Sequence, residues 1–255
     1  MLKWAVLGSG SSGNSYLFSA EGVSVLIDQG FSVRELKRRL QHFDTPIESV
    51  KALCLTHLHP DHAKGAGVLA RMHGVPVVVH VGAVRKNGTR VLDLGIPTDQ
   101  LFHTEAEAAF KVGPFTLMCF ETSHDCPGSV GWLIRYGDER LMVLTDTGRT
   151  TALQRKLAQK ADVLFLEANY DEEMLRKGPY PPFLQNRIRG EHGHLSNAEA
   201  FTFLTESKFA GEHLYFVHLS DTNNSVHLLE TAARTKSPTE YTICEKGQWY
   251  GMQRG

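Results

Sequence analysis

Lys51-Ala52-Leu53-Cys54-Leu55-Thr56-His57-Leu58-His59-Pro60-Asp61-His62 is the stretch that decides the fold. Its first five residues form an apolar run that reads as a buried strand. Pro60 has no amide to donate and should stop that strand. Asp61 then suits the N-cap of a helix running through Ala63-Lys64-Gly65-Ala66. Three imidazoles and a carboxylate therefore fall in the turn between a strand and a helix, where open α/β folds bind their ligands. His57 and His59 are two apart in extended chain, so both side chains leave from one face. Asp61 and His62 are adjacent, and the turn aims them elsewhere. The cluster splits into two pairs, one for each of two divalent metal ions. Neutral imidazole with carboxylate suits Zn2+, and also Mn2+ or Fe2+.

This H-x-H-x-D-H pattern after a buried strand resembles the signature of the metallo-β-lactamase superfamily. The resemblance implies an α/β fold, a four-layered αβ/βα sandwich with one or two metals at the edge between two sheets. It extends over nearly the whole chain. Several further motifs resemble the YycJ/WalJ-type exonuclease branch, which is related to RNase Z.

The 255 residues, 42% hydrophobic and 22% charged, describe a soluble globular protein, and a single domain over 1–255 is expected. No apolar run approaches the roughly 18 residues of a membrane span. Met1 to Gly8 lacks the apolar core and cleavage pattern of a signal peptide. Cys54, Cys119, Cys126 and Cys244 form no C-x-x-C pair, so reduced thiols and a cytoplasmic location are expected. A net charge of −1 gives no simple basic signature for nucleic acid.

Other strands end in residues of the same chemistry. Asp28 closes Val23-Ser24-Val25-Leu26-Ile27, where an unpaired carboxylate would be costly; the resemblance makes it a buttress of the metal loop, the alternative being a turn aspartate. His124 follows the strand Phe115–Phe120 and matches the family's next metal histidine, on the side of His57 and His59. Asp146 follows Leu141-Met142-Val143-Leu144, and in dinuclear relatives the aspartate here bridges both metals. His218 ends His213-Leu214-Tyr215-Phe216-Val217 and joins Asp61, His62 and Asp146 on the second side. Asp61 is counted among the catalytic residues as well. Glu167 ends Asp162-Val163-Leu164-Phe165-Leu166 and resembles the Glu of the RNase Z H-E-A-T segment, although Leu166 stands where that family has histidine; a purely structural pairing is the other reading. His194 precedes a helix capped by Ser196 or Asn197 and matches the RNase Z histidine that pairs with the Glu, with His192 a weaker candidate.

Three segments carry substrate readings beside plainer ones. Gly8-Ser9-Gly10-Ser11-Ser12-Gly13-Asn14-Ser15 reads as a tight loop, or, by its likeness to the S-G-S-x-G-N segment of the YycJ-type branch, as a substrate contact through Ser11 and Asn14. A helix over Ser32–Leu40, with Ser32 and Glu35 as a capping box, carries Arg34, Lys37, Arg38 and Arg39 as a solvated or a phosphate-tracking face. Lys177 to Arg189 resists helix or strand assignment; it is a surface loop or a lid whose aromatics and Arg187 and Arg189 grip nucleic acid. Tyr241-Thr242-Ile243 and Gln248-Trp249-Tyr250 read as a terminal hairpin.

Together these readings lead to a metal-dependent phosphodiester hydrolase, DNA exonuclease first and RNA second. The resemblance implies a hydroxide bridging two metals as nucleophile and a Glu167-oriented His194 as general acid. The competing reading is a hydrolase of small esters or cyclic phosphodiesters, glyoxalase II-like. A non-catalytic metal scaffold is a third; it predicts a missing ligand, yet every position is filled, His59 included.

Overall fold

A computed structural model describes residues 1–254. Two seven-stranded sheets face one another. The first is built from β1 (Leu2–Gly8), β2 (Ser15–Ala20), β3 (Val23–Ile27), β4 (Val50–Cys54), β5 (Val77–His80) and β6 (Leu101–Thr104) in that order. The second runs β7 (Ala109–Val112), β8 (Phe115–Glu121), β9 (Val130–Tyr136), β10 (Glu139–Leu144), β11 (Val163–Glu167), β12 (His213–Val217) and β13 (Glu240–Ile243). Each begins with antiparallel hairpins and continues as parallel strands joined by helical crossovers, so the halves repeat one topology. Two sheets between helical layers make the four-layered αβ/βα sandwich expected of the sequence.

The last strand, β14 (Tyr250–Arg254), pairs antiparallel with β1, whereas β13 pairs parallel with β12. The expected terminal hairpin is therefore not formed. The chain between Ile243 and Tyr250 crosses from one sheet to the other, and β14 closes the edge that β1 would expose.

The inner core explains why the sheets stay in register at the site. Alternate residues of both sheets, among them Trp4, Tyr16, Phe18, Trp132, Phe165 and Tyr215, are buried between them. Phe165 stacks on Tyr215 at 4.7 Å and meets Tyr16 and Phe18 edge-on. Two indoles also bridge the sheets. Trp132 Nε1 donates to the Leu55 carbonyl at 3.2 Å, and Trp4 Nε1 to Tyr215 Oη at 3.2 Å. The Val130 amide donates to the Thr56 carbonyl at 2.9 Å, which joins the second sheet to the histidine-rich turn.

Helices cover both outer faces. α1 (Val33–His42), α2 (Pro60–Ala63), α3 (Ala66–His73) and α4 (Val81–Asp93) follow strands of the first sheet. α5 (Ala152–Ala158), α6 (Glu172–Lys177), α7 (Pro182–Arg189), α8 (Asn197–Ser207) and α9 (Val226–Lys236) follow strands of the second. Ser32 caps α1 as expected, accepting from the Glu35 amide. The reciprocal half of the box is missing, because the Glu35 carboxylate is engaged by Arg38 and Arg39 at 2.7 Å. Arg39 is not on the solvated face: it donates to the Leu7 carbonyl and lies over the Phe31 ring. The 177–189 segment is largely helical, contrary to the loop reading. Pro181 is the N-cap and Pro182 the first residue of α7, where the missing amide costs nothing. No helix among the described residues is long and apolar enough to cross a membrane. All four cysteines are buried free thiols.

Candidate metal centre

The carboxyl ends of β3, β4, β8, β10, β11 and β12 meet at one edge of the sandwich. Past those ends lie Asp28, His57, His59, Asp61, His62, His124, Asp146 and His218, with Glu167 the last residue of β11. Sequence placed Asp61 at an N-cap; instead His59 is the N-cap of α2 and Pro60 its first residue. That shift leaves the Asp61 carboxylate free to face the cluster.

Donor atoms gather in two lobes. On one side His57 Nε2 lies 3.0 Å from His59 Nδ1, which is 3.3 Å from His124 Nε2. On the other, His62 Nε2 is 3.4 Å from Asp61 Oδ2, and His218 Nε2 is 3.7 Å from the same oxygen. Asp146 lies between the lobes. Its Oδ2 is 3.3 Å from His62 Nε2, and its Oδ1 is 3.6 Å from both His124 Nε2 and His218 Nε2. Donors arranged tetrahedrally about a cation at about 2.0–2.1 Å stand about 3.3–3.4 Å apart, so these separations fit ligand sets. His218 Nε2 is buried and without a hydrogen-bond partner, as expected of an atom whose partner is a cation. Seven residues expected as ligands are thus brought together: His57, His59, Asp61, His62, His124, Asp146 and His218.

Ionisation follows the same division. Burial pushes His57 well below its usual value, His59 down to about 4 and His124 down, which favours the neutral imidazole, the form that can ligate a cation. Burial opposes charge on Asp61 and Asp146 too, but the surrounding histidines outweigh it and hold both carboxyls low. Burial also opposes charge on His62 and His218. There Asp146 dominates; with Asp28 it lifts His62 to about 10, and it raises His218 well above its ordinary value. A cation would displace those two protons.

The frame behind the ligands is dense. Asp28 is fully buried, and its carboxylate accepts from the Thr56 amide and hydroxyl at 2.7 Å each and meets His62 Nδ1 at 2.8 Å. It ties the end of β3 to the histidine-rich turn. Glu167 is also fully buried. Oε1 meets His194 Nδ1 at 2.7 Å and His218 Nδ1 at 3.0 Å, while Oε2 accepts from the Thr147 and Leu195 amides at 3.2 Å each. Burial would push Glu167 up, but His194 and His218 pull it down to about 2. His194 keeps 20% of its side chain exposed, with Nδ1 3.6 Å from Asp146 Oδ1.

The expected substrate contacts fare differently. Asn14 is fully buried: its amide touches His62 Nε2 at 2.9 Å and the Gly10 carbonyl at 3.2 Å, so it braces the metal turn. Ser11 is exposed and donates to Asp221 at 3.3 Å. Arg187 donates through Nε to Asp125 Oδ2 at 2.5 Å, and Arg189 to Gln185 at 3.1 Å. His192 is exposed and meets Ser123 Oγ at 3.1 Å.

Sequence reading gave no role to Thr56, Ser9, Gly30 or Asn169. Thr56 Oγ1 sits among Asp28, His57 Nδ1 and His62 Nδ1. Ser9 Oγ accepts from the His218 amide at 2.7 Å, and Asn169 Nδ2 donates to the His218 carbonyl at 2.8 Å. Gly30 packs so closely on the Asp61 carbonyl that a Cβ would collide with it. Only the glycine, after a strand-closing aspartate, left any trace that could have been noticed.

The model of the β-lactamase superfamily domain matches residues 24–219. The chain belongs to the β-lactamase superfamily. Among curated relatives, exodeoxyribonuclease YycJ of Bacillus anthracis is 31% identical over 228 residues, 89% of this chain and 86% of that protein. Exodeoxyribonuclease WalJ of Streptococcus pneumoniae serotype 2 is 30% identical over 225 residues, 87% and 83% of the two chains. Among solved structures, the metallo-β-lactamase fold protein YhfI of Bacillus subtilis superposes with a TM-score of 0.74 at 22% identity, covering 98% and 99% of the chains. The short form of human tRNase Z gives 0.66 at 20%, covering 97% and 98%. Both structures speak for the fold. This superfamily member is a metal-dependent hydrolase.

Proposed function

We propose that this chain is a phosphodiesterase acting on nucleic acid, an exodeoxyribonuclease, with two divalent cations held by His57, His59, His124 and Asp146 and by Asp61, His62, His218 and Asp146. The observation that carries the reading is the Glu167–His194 pair at 2.7 Å on the rim of the cluster. A thioester has a leaving group that needs no proton, whereas the alkoxide leaving a phosphodiester does. Two curated relatives named exodeoxyribonuclease, at 30–31% identity over most of both chains, support DNA as the substrate.

When bound, the cations supply Lewis acidity for the phosphoryl oxygens and lower the pKa of an attacking water. The protein does the rest. Asp146 presents Oδ1 to both lobes, toward His124 and His218, and Oδ2 to His62, and so shares its charge between them. Glu167 holds His194 by Nδ1 and fixes its ring. Nε2, which has no protein hydrogen-bond partner among the described residues, then carries the proton for the departing oxygen. α7 presents Phe183, 74% exposed, one turn from Arg187 and close to Arg189; aromatic and cationic groups on one short helix suit a base and its phosphates. Ser11, on the exposed Gly/Ser loop, is a second contact in this reading.

The test is turnover of end-labelled DNA, RNA and bis(p-nitrophenyl) phosphate by the metal-loaded protein. Release of mononucleotides from DNA ends is expected, and its loss in His59→Ala and Asp146→Ala. Wild-type turnover by either variant would end the proposal.

A further inference from the structure

Each imidazole that faces the centre has a second ring nitrogen directed outward, and the partner of that nitrogen fixes the ring. For four of the five the partner is buried or part of the backbone. His57 Nδ1 meets Thr56 Oγ1 at 3.0 Å and His62 Nδ1 meets Asp28 Oδ2 at 2.8 Å. His124 Nδ1 meets the Gly193 carbonyl at 3.1 Å, and His218 Nδ1 meets Glu167 Oε1 at 3.0 Å. His59 is mounted the other way round. Nδ1 faces His57 Nε2 and His124 Nε2, so Nε2 is the outward atom. Asp125 Oδ1 stands 3.6 Å from it. The other oxygen of Asp125 is held by Arg187 Nε at 2.5 Å, from α7.

We infer that Asp125 is the positioning residue of His59, and that Arg187 clamps Asp125 in place. The inference rests on reading the cluster as a metal centre. Asp125 Oδ1 is also 3.5 Å from His124 Nε2, so the carboxylate leans over the lobe of His57, His59 and His124 and not over the other. His59 is the most exposed ring of that lobe, at 21% against 2% for His124. It therefore has the least packing to hold its orientation, and the carboxylate supplies what packing does not. Arg187, offered to phosphate in the reading above, is engaged by Asp125 in this structure. A phosphate that draws it away loosens Asp125, so α7 and this lobe are linked. The Asp125–Arg187 pair is partly exposed, and such pairs add little to folding stability. Its effect falls on orientation.

The test is competition between a chelator and the full chain for Zn2+, on wild type, Asp125→Ala, Arg187→Ala and the double variant, with melting temperatures as the folding control. Wild type should hold two ions. Asp125→Ala should weaken one by about 10–100-fold and leave the other unchanged, as loss of a ligand's outer partner does. Arg187→Ala should weaken the same ion less, and the double variant should be no worse than Asp125→Ala alone, since the two residues act in series. In the zinc-loaded wild type the His59 Nε2 proton should resist exchange, and in Asp125→Ala it should not. Two ions at wild-type affinity in Asp125→Ala would overturn the inference and leave the metal centre standing. No Zn2+ uptake by wild type would overturn the metal reading, and this inference with it.

Discussion

His194→Ala separates proton donation from everything else the site does. The ring is 20% exposed and is held by one hydrogen bond, to Glu167 at 2.7 Å. Without it the Glu167 carboxylate keeps His218 Nδ1 and the Thr147 and Leu195 amides, so no buried charge is stranded. The cost to folding is that of one charge-assisted bond at a partly open position, about 1.5–3 kcal/mol. The cost to catalysis depends on the leaving group. A positioned general acid contributes about 10²–10⁴-fold, or about 2.7–5.4 kcal/mol of barrier. A nucleotide 3′-oxygen or 5′-oxygen leaves poorly without a proton and should show the whole loss. p-Nitrophenolate leaves as a stable anion and should show less than about tenfold. The assay is kcat/KM on end-labelled DNA and on bis(p-nitrophenyl) phosphate, with bound metal measured in the same samples. Equal losses on both substrates, or loss of a metal ion with the imidazole, would make His194 a ligand or a structural residue and refute the assignment.

Three further outcomes are expected. Asp28→Asn keeps the shape but turns an acceptor toward His62 Nδ1 into a donor, which forces the proton onto Nε2; metal on the Asp61, His62 and His218 side should bind about 10–100-fold more weakly, as chelator competition would show. Glu35, held at about 2 by Arg38 and Arg39 against the desolvation that would raise it, stabilises α1 above its ordinary value of 4.5 and loses that contribution as pH falls toward 2; Glu35→Gln should cost about 1 kcal/mol or less at pH 7 and nothing near pH 2, read by denaturant melts of both proteins. Zn2+ or Mn2+ at about 100 times its dissociation constant should add about 2.7 kcal/mol for each site filled, or roughly 5–10 °C in melting temperature per site for a chain of this size, reversed by a chelator; an unchanged melt would contradict a folded-state metal centre.

The cluster of candidate ligands was legible because its pieces are local. Asp28, His124, Asp146 and His218 each follow an apolar run, and a strand that ends in a ligand-type residue leaves a mark in one short window. H-x-H-x-D-H does so most plainly. What escaped notice depends on distance. Asp125 gains its meaning from Arg187, 62 residues on, and Thr56 from Asp28, 28 residues back. α7 does not show in the sequence because prolines usually interrupt a helix, although Pro181 and Pro182 open this one. β14 was misplaced because strand character is local but partner choice is not: Tyr250 pairs with Val6, across the whole chain. Asn14 looked like a surface contact because Gly/Ser loops are usually outside, yet its side chain is the peg between that loop and the metal turn.

The backbone at the strand ends shows what the arrangement costs. Asp28, Asp146 and His218 adopt left-handed φ values of 63°, 55° and 59°. For residues other than glycine this conformation is unfavourable, though aspartate and histidine tolerate it better than most. It turns the chain sharply as each strand stops and swings the side chain toward the centre. The strain persists because other contacts fix it: the Thr56 amide holds Asp28, and Ser9 and Asn169 hold the His218 amide and carbonyl. The placement of Asp28 and His218 is therefore set by strand termination, a left-handed turn and a hydrogen bond from a neighbouring element. Such a site does not wait for its metals to assemble it. Asp146 faces both His62 and His218, and its charge favours the protonated form of each ring, so attraction between rings and carboxylate helps to keep the cluster together against the strain of its turns.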